Sequence, residues 1–219
     1  MKFKKTRIVL ASFLFMSSLV VQGQDMGKFG IRVGTTMPQG ILGQLVNPGK
    51  GIGIQFNKTY FFQVRGRFTV DYAKYNSSGY AFQTVMYDYN NQESNAPATL
   101  TFNRFSTVDA TLGLDYKVFP DKLPWFYCGP EVLMGADAID YKYVSNAPGG
   151  STEFGTTMFI HSGYKLNFGF EKSFGFLNVF GEYSIMRMMA EYYDVNETHP
   201  ANGGIYHFIN QKLTIGIKF

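Results

Sequence analysis

Residues 153–172 alternate without a break. Phe154, Thr156, Met158, Ile160, Ser162, Tyr164, Leu166, Phe168 and Phe170 share one parity. Glu153, Gly155, Thr157, Phe159, His161, Gly163, Lys165, Asn167, Gly169 and Glu171 share the other. Successive side chains on a strand point to opposite faces, whereas alternate residues on a helix lie far apart around its axis. The run therefore predicts a strand, about twice the ordinary length. No helical packing can use this pattern.

The same period recurs along the chain. Apolar residues alternate with small or polar ones over 28–34, 51–56, 62–72, 109–118, 177–185 and 209–219. Residues 125–143 are less regular. Cys128, Val132, Met134 and Ala136 take one face and Gly129, Glu131, Gly135 and Asp137 the other, but Leu133 breaks the polar face and Pro130 predicts an irregularity near the start. These segments make eight strands. Their connections alternate in length: 57–59, 119–124 and 173–175 are short, while 38–50, 76–98, 145–152 and 191–204 are long and rich in turn formers. An even strand count with short turns at one end and long loops at the other predicts an antiparallel up-and-down β-barrel.

Composition narrows the class. The chain has 219 residues and a formal charge of +4, and Lys2, Lys4, Lys5 and Arg7 account for the whole excess. The remainder is neutral, which excludes a basic nucleic-acid footprint. Aromatic residues reach 17%, too many for a disordered chain. A single cysteine, Cys128, excludes an internal disulfide and a cysteine metal cluster. It reads as lipid-facing or buried, without chemistry. Residues 1–7 are basic, 8–21 apolar, and Val21-Gln22-Gly23 offers a cleavage site, so residues 1–23 read as an export signal peptide and 24–219 as the barrel. An apolar run shorter than a helical span argues against a membrane anchor.

Which face is inside follows from what each parity carries. The polar parity is rich in Gly, Thr and Asn, with charges of both signs: Arg32, Arg65, Arg67, Lys165 and Lys212 against Asp71, Asp109, Asp115, Glu131 and Glu182. Balanced charge among small residues suits a narrow interior where each ion needs a partner. Aromatics cluster near the strand ends. Tyr60, Phe61, Phe62, Trp125, Phe126, Tyr127, Phe174 and Phe176 flank the short turns, and Tyr72, Tyr75, Tyr141, Tyr143, Tyr192 and Tyr193 approach the long loops. Two such belts fit two membrane interfaces. A soluble barrel would reverse the faces.

The last strand, 211–219, is amphipathic and closes on Phe219. It resembles the terminal signal of bacterial outer-membrane barrels, and the mature chain resembles the small eight-stranded, porin-like members of that group. The resemblance implies an outer-membrane location, contact with outer-membrane lipid, and recognition of Phe219 by the barrel-assembly machinery. Three functions stand in order. The first is a structural or surface-binding protein with a plugged polar lumen and an extracellular protein or glycan partner. The second is a narrow porin-type channel. The third is a lipid-modifying enzyme. Some small barrels deacylate lipid A with a Ser–His–acid set separated by one residue. Here His161 and Ser162 are adjacent and point to opposite faces, so no catalytic set is assigned. His161 reads as a satisfied lumen residue. His199 lies near Asp194 and Glu197, which reads as a solvated loop rather than a cation site. No metal site or cofactor is expected.

Overall fold

The computed structural model describes residues 27–61, 63–87, 93–146, 150–191 and 205–219. The export-signal reading of residues 1–23, and the loop residues Asp194, Glu197 and His199, lie outside them. The described residues form nine strands: β1 (Lys28–Pro38), β2 (Gly49–Phe61), β3 (Val64–Asn76), β4 (Ala81–Tyr87), β5 (Glu93–Tyr116), β6 (Phe126–Ser145), β7 (Thr152–Phe174), β8 (Leu177–Glu191) and β9 (Ile205–Lys218). One short helix, α1 (Gly40–Leu45), follows β1. Eight strands close a ring by antiparallel pairing in the order β1-β2-β3-β5-β6-β7-β8-β9, and β9 returns to β1. The fold is all-β, an antiparallel up-and-down barrel. No helix among the described residues is long and apolar enough to cross a membrane.

Closure is made by the two chain ends. Gly30 pairs with Lys218 and the register runs unbroken to Pro38 opposite Asn210. Phe219 seals the lower end: its N–H donates to the Phe29 carbonyl at 2.9 Å and its carbonyl accepts from the Phe29 N–H at 3.1 Å. The two rings also meet, with centroids 5.8 Å apart.

The faces are inverted relative to a soluble barrel. Ile31, Ile54, Leu114, Val132, Leu166 and Ile215 point outward and are exposed, while Arg32, Arg67, Glu131, Lys165 and Glu182 are buried inside. A belt of exposed aromatics, Tyr60, Phe119, Trp125, Phe174, Phe176 and Phe219, circles the short-turn end. A wall with an apolar outside and a polar, closed inside is stable only in a bilayer, because the ring satisfies its own backbone groups and lipid receives the apolar side chains. The fold is that of a transmembrane β-barrel, with its short turns at one end and its long connections at the other.

Several local expectations are corrected. Residues 57–59 are not a turn: β2 runs through Phe61, and Asn57 is a buried inward residue. β2 and β3 instead pair as far as Phe61 opposite Val64. The loop 76–98 contains the hairpin of β4 with the first half of β5. The loop 38–50 contains α1. Val118 lies beyond the end of β5. Pro130 leaves the register of β6 unshifted; it faces outward opposite Leu166. The β7–β8 turn is as short as expected, with Gly175 at φ 65° where a twisted two-residue hairpin needs positive φ.

β5, β6 and β7 hold 24, 20 and 23 residues, against the ~9–11 that cross a bilayer. The excess continues past the long-loop end as a wall of β4, β5, β6 and β7. Replacing Ile215, exposed on β9, by lysine is expected to lower the unfolding free energy of the barrel in lipid vesicles by about 2–4 kcal/mol. Denaturant titration reads this. A neutral effect would mean that this face meets water.

Candidate functional site

The inward side chains stack in levels from the short-turn end upward. Lowest is a polar vestibule of about 290 Å³, lined among others by Arg65, Asp115, Glu171 and Asn178. Arg65 donates to Asp115 from Nε at 3.2 Å and from Nη2 at 2.8 Å, and reaches Glu171 at 2.5 Å. Lys218 donates to the same Glu171 at 2.7 Å. Tyr127 lies behind this group, with the Arg65 guanidinium 4.9 Å from its ring centroid. Tyr127 is buried in the lumen and is not part of the aromatic belt. Its hydroxyl lies 3.2 Å from Glu182.

The middle level is the centre of the barrel. Arg32 grips Asp71 with two hydrogen bonds, 2.8 and 2.7 Å, and approaches Glu182 at 3.6 Å. Arg67 donates to both Glu131 and Glu182 and lies 3.5 Å from Asp115. Lys165 pairs with Glu131 at 2.6 Å, and Lys212 with Asp71 at 2.8 Å. Thr111 adds a hydroxyl donor to Glu131. These side chains come from seven of the eight ring strands, so the network ties opposite walls together. Glycine makes the room. A Cβ at Gly53 would collide with the Asp71 carboxylate, which the β2–β3 register places opposite it.

Above this, His161 sits between two carboxylates, with Nδ1 2.8 Å from Asp137 and Nε2 2.8 Å from Asp109. Asp109, expected to meet an arginine or lysine, meets His161 instead. The reason is register: Asp109 pairs with Gly135, and Gly135 with His161, so the imidazole reaches across a residue with no side chain. Ser162 points outward, away from this group.

The lumen also holds apolar side chains: Leu133, opposite Gly163 and two places nearer the short turns than Gly135, packs with Met186 and Met188 against Phe208, beside the ion network. Leu133, which breaks the polar parity in the sequence, is thus a lumen residue of this cluster. At the top, α1 brings Leu42 and Val46 onto Ala73, Tyr75 and Phe105. Tyr75 and Phe105 stack with centroids 4.9 Å apart. Tyr75 is an inward core residue and not a belt residue. Tyr141 also takes the inward parity, lying over Gly155, where a Cβ would run into its ring. Among the described residues no group of three or more His, Cys, Asp and Glu side chains could hold a metal ion.

An inside-out ring of eight strands, with ions paired across its centre and aromatics at its lower rim, defines the class: a small outer-membrane β-barrel. No protein-family model matches the chain, and no curated protein does. Solved structures of similar outline include neisserial surface protein A (13% identity, covering 90% of this chain and 98% of that one, TM-score 0.39). Another is the attachment invasion locus protein of Yersinia pestis in complex with the heparin analogue sucrose octasulfate (9%, 89% and 100%, TM-score 0.43). A third is a major outer membrane protein from Thermus thermophilus (12%, 89% and 99%, TM-score 0.45). The fold rests on the register of this chain's own strands.

Arg67 is the hub of the network, so its removal strands charges. Arg67→Leu is expected to cost roughly 3–5 kcal/mol of unfolding free energy, the usual penalty for breaking one partner of a buried ion pair. Arg67→Glu, which adds a fourth carboxylate beside Asp115, Glu131 and Glu182, is expected to prevent recovery of folded barrel. Urea titration in vesicles measures both. An unchanged midpoint for either variant would contradict a closed, ion-paired interior.

Proposed function

We propose that the protein is a non-enzymatic barrel with a plugged lumen, and that it works by presenting its extracellular wall to a partner. The observation that carries this reading is the outer face of β7. Counting about eleven residues up from Lys172, the bilayer segment ends near Ser162. Beyond it Phe154, Met158 and Ile160 are each 73% exposed. Apolar side chains held open to water on a rigid sheet mark an interaction surface. Aliphatic and aromatic contacts of this kind favour a protein partner over a glycan.

The lumen supports the same reading. Ion pairs span its middle with Leu133, Met186 and Met188 packed beside them, and α1 packs with Tyr75 and Phe105 at the top. Among the described residues His161 forms no catalytic set: both its nitrogens are engaged by aspartates, and Ser162 faces away. The narrow porin-type channel remains the competing role, and conductance separates the two. In planar bilayers the protein is expected to give no regular conductance steps. A photo-reactive residue at position 158 on living cells is expected to capture a protein, while one at position 213 captures lipid only. Discrete channel openings, or no protein adduct at 158, would overturn the proposal.

Assembly is proposed to use the barrel-assembly machinery, with Phe219 as part of its signal. Deleting Phe219 removes its ring contact and both backbone bonds to Phe29. The expected outcome is strongly reduced membrane levels with precursor in the periplasm, while the purified variant still refolds from urea into detergent. Normal membrane levels would make Phe219 a belt and seam residue only.

A further inference from the structure

Two outward lysines at the long-loop margin of the barrel are set in conflict. Lys50 and Lys74 share the outward parity of Ile52 and Tyr72, are both exposed, and lie directly opposite each other on β2 and β3. Like charges facing each other across two strands are destabilising, a cost that an anion between them removes. Neither makes an ion pair with a described residue. Other outward cations near this margin have partners: Arg104 has Asp140 at 4.0 Å, and Arg187 donates to the Tyr164 hydroxyl at 3.3 Å.

Lys50 also stands at one end of an apolar groove of about 640 Å³ on the outer face. Two register rows of outward side chains flank it. Thr35, Leu213, Tyr183 and Phe168 follow Lys50 across β1, β9, β8 and β7. Val33, Ile215, Gly181 and Phe170 make the row beneath, with the Phe170 ring leaning over Gly181. The groove begins at Lys50, beside the long connection 38–50, and ends at Phe126, just after the short turn 119–124. Rows perpendicular to tilted strands run diagonally through a bilayer, so the groove descends from the long-loop surface into the hydrocarbon.

A cation pair at the membrane surface and an apolar track leading down from it are the two halves of a site for an amphiphile. Two ammonium groups match a phosphate monoester, which carries about −1.5 to −2 charges near pH 7. A chain that reaches the bilayer mid-plane, about 15 Å down, meets the upper part of the track at Thr35, Val33, Leu213 and Ile215. We infer that this face of the barrel binds one phosphate-monoester lipid, its phosphate between Lys50 and Lys74 and one acyl chain along the groove. The site uses neither the β7 wall nor what that wall binds.

Native mass spectrometry of the full barrel, refolded in a neutral detergent, tests this with dimyristoyl phosphatidic acid and dimyristoyl phosphatidylcholine added at equal concentration. One phosphatidic acid per barrel is expected, retained about tenfold more strongly than phosphatidylcholine. Lys50→Gln with Lys74→Gln, at exposed positions, is expected to erase that preference. Lys28→Gln with Lys117→Gln, exposed lysines at the short-turn end, is expected to keep it. Thr35→Trp, which fills the groove beside Lys50, is expected to weaken retention of phosphatidic acid; if that variant does not fold, the lysine variants decide. Glycerol phosphate, a headgroup without chains, is expected not to displace the lipid. Equal retention of the two lipids by the unaltered barrel would overturn the inference. So would a preference that survives the loss of Lys50 and Lys74, one lost equally with Lys28 and Lys117, or displacement of the lipid by glycerol phosphate.

Discussion

Every backbone N–H and C=O placed in hydrocarbon must find its partner within the protein, and this chain meets that demand by pairing its last strand with its first. The seam between β1 and β9 is therefore not one contact among many. Without it, two edges of unpaired groups would face lipid. Closure with eight strands also fixes the width of the interior, which is only enough for side chains to fill. The alternation of the sequence then delivers charged groups into a space with little room for water. Once there, each must be neutralised by another side chain, since an unpaired ion costs several kcal/mol.

This order of constraints explains where glycine stands. Gly53, Gly135 and Gly155 each lie beneath a larger inward side chain, Asp71, His161 and Tyr141 respectively, with no space for a Cβ. Large and small residues alternate around the lumen so that long side chains can cross it. The consequence for function is geometric. The centre of the barrel is committed to its own cohesion, and groups open to the surroundings lie at its two ends. Apolar side chains stand open on the upper wall, and a polar vestibule lined by Arg65, Asp115 and Glu171 lies at the lower end.

The inward or outward direction of most residues was legible in the sequence because parity is a local property. It survives even where strand ends were misplaced: Asn57, read as a turn residue, keeps the inward parity of Gln55 and Gly53. What was not legible is whatever depends on register between distant segments. Nothing near Glu171 announces that it receives both Arg65, 106 residues earlier, and Lys218, 47 residues later. The pairing of His161 with Asp109 likewise rests on three strands aligning at Gly135. The apolar packing of the lumen was missed for another reason. Leu133, Met186 and Met188 are apolar on a parity otherwise polar, and Tyr75 follows Asp71 and Ala73 on the inward side. Read together, these departures signal apolar packing beside the charged groups and, at Tyr75, above them. α1 gave no such signal, since Gly40–Leu45 is too short for a helical period to show.

The most direct test of the central claim, that the barrel interior is held by ion pairs formed through closure, is a double-mutant cycle on Arg32 and Asp71, joined by two hydrogen bonds across strands β1 and β3. Unfolding free energies in vesicles are measured for Arg32→Leu, Asp71→Leu and the double variant. Each single change is expected to be costly and the double change much less than their sum, with a coupling of at least about 1.5 kcal/mol. Additivity to within about 0.5 kcal/mol would show that the two side chains do not depend on each other, and would contradict the account.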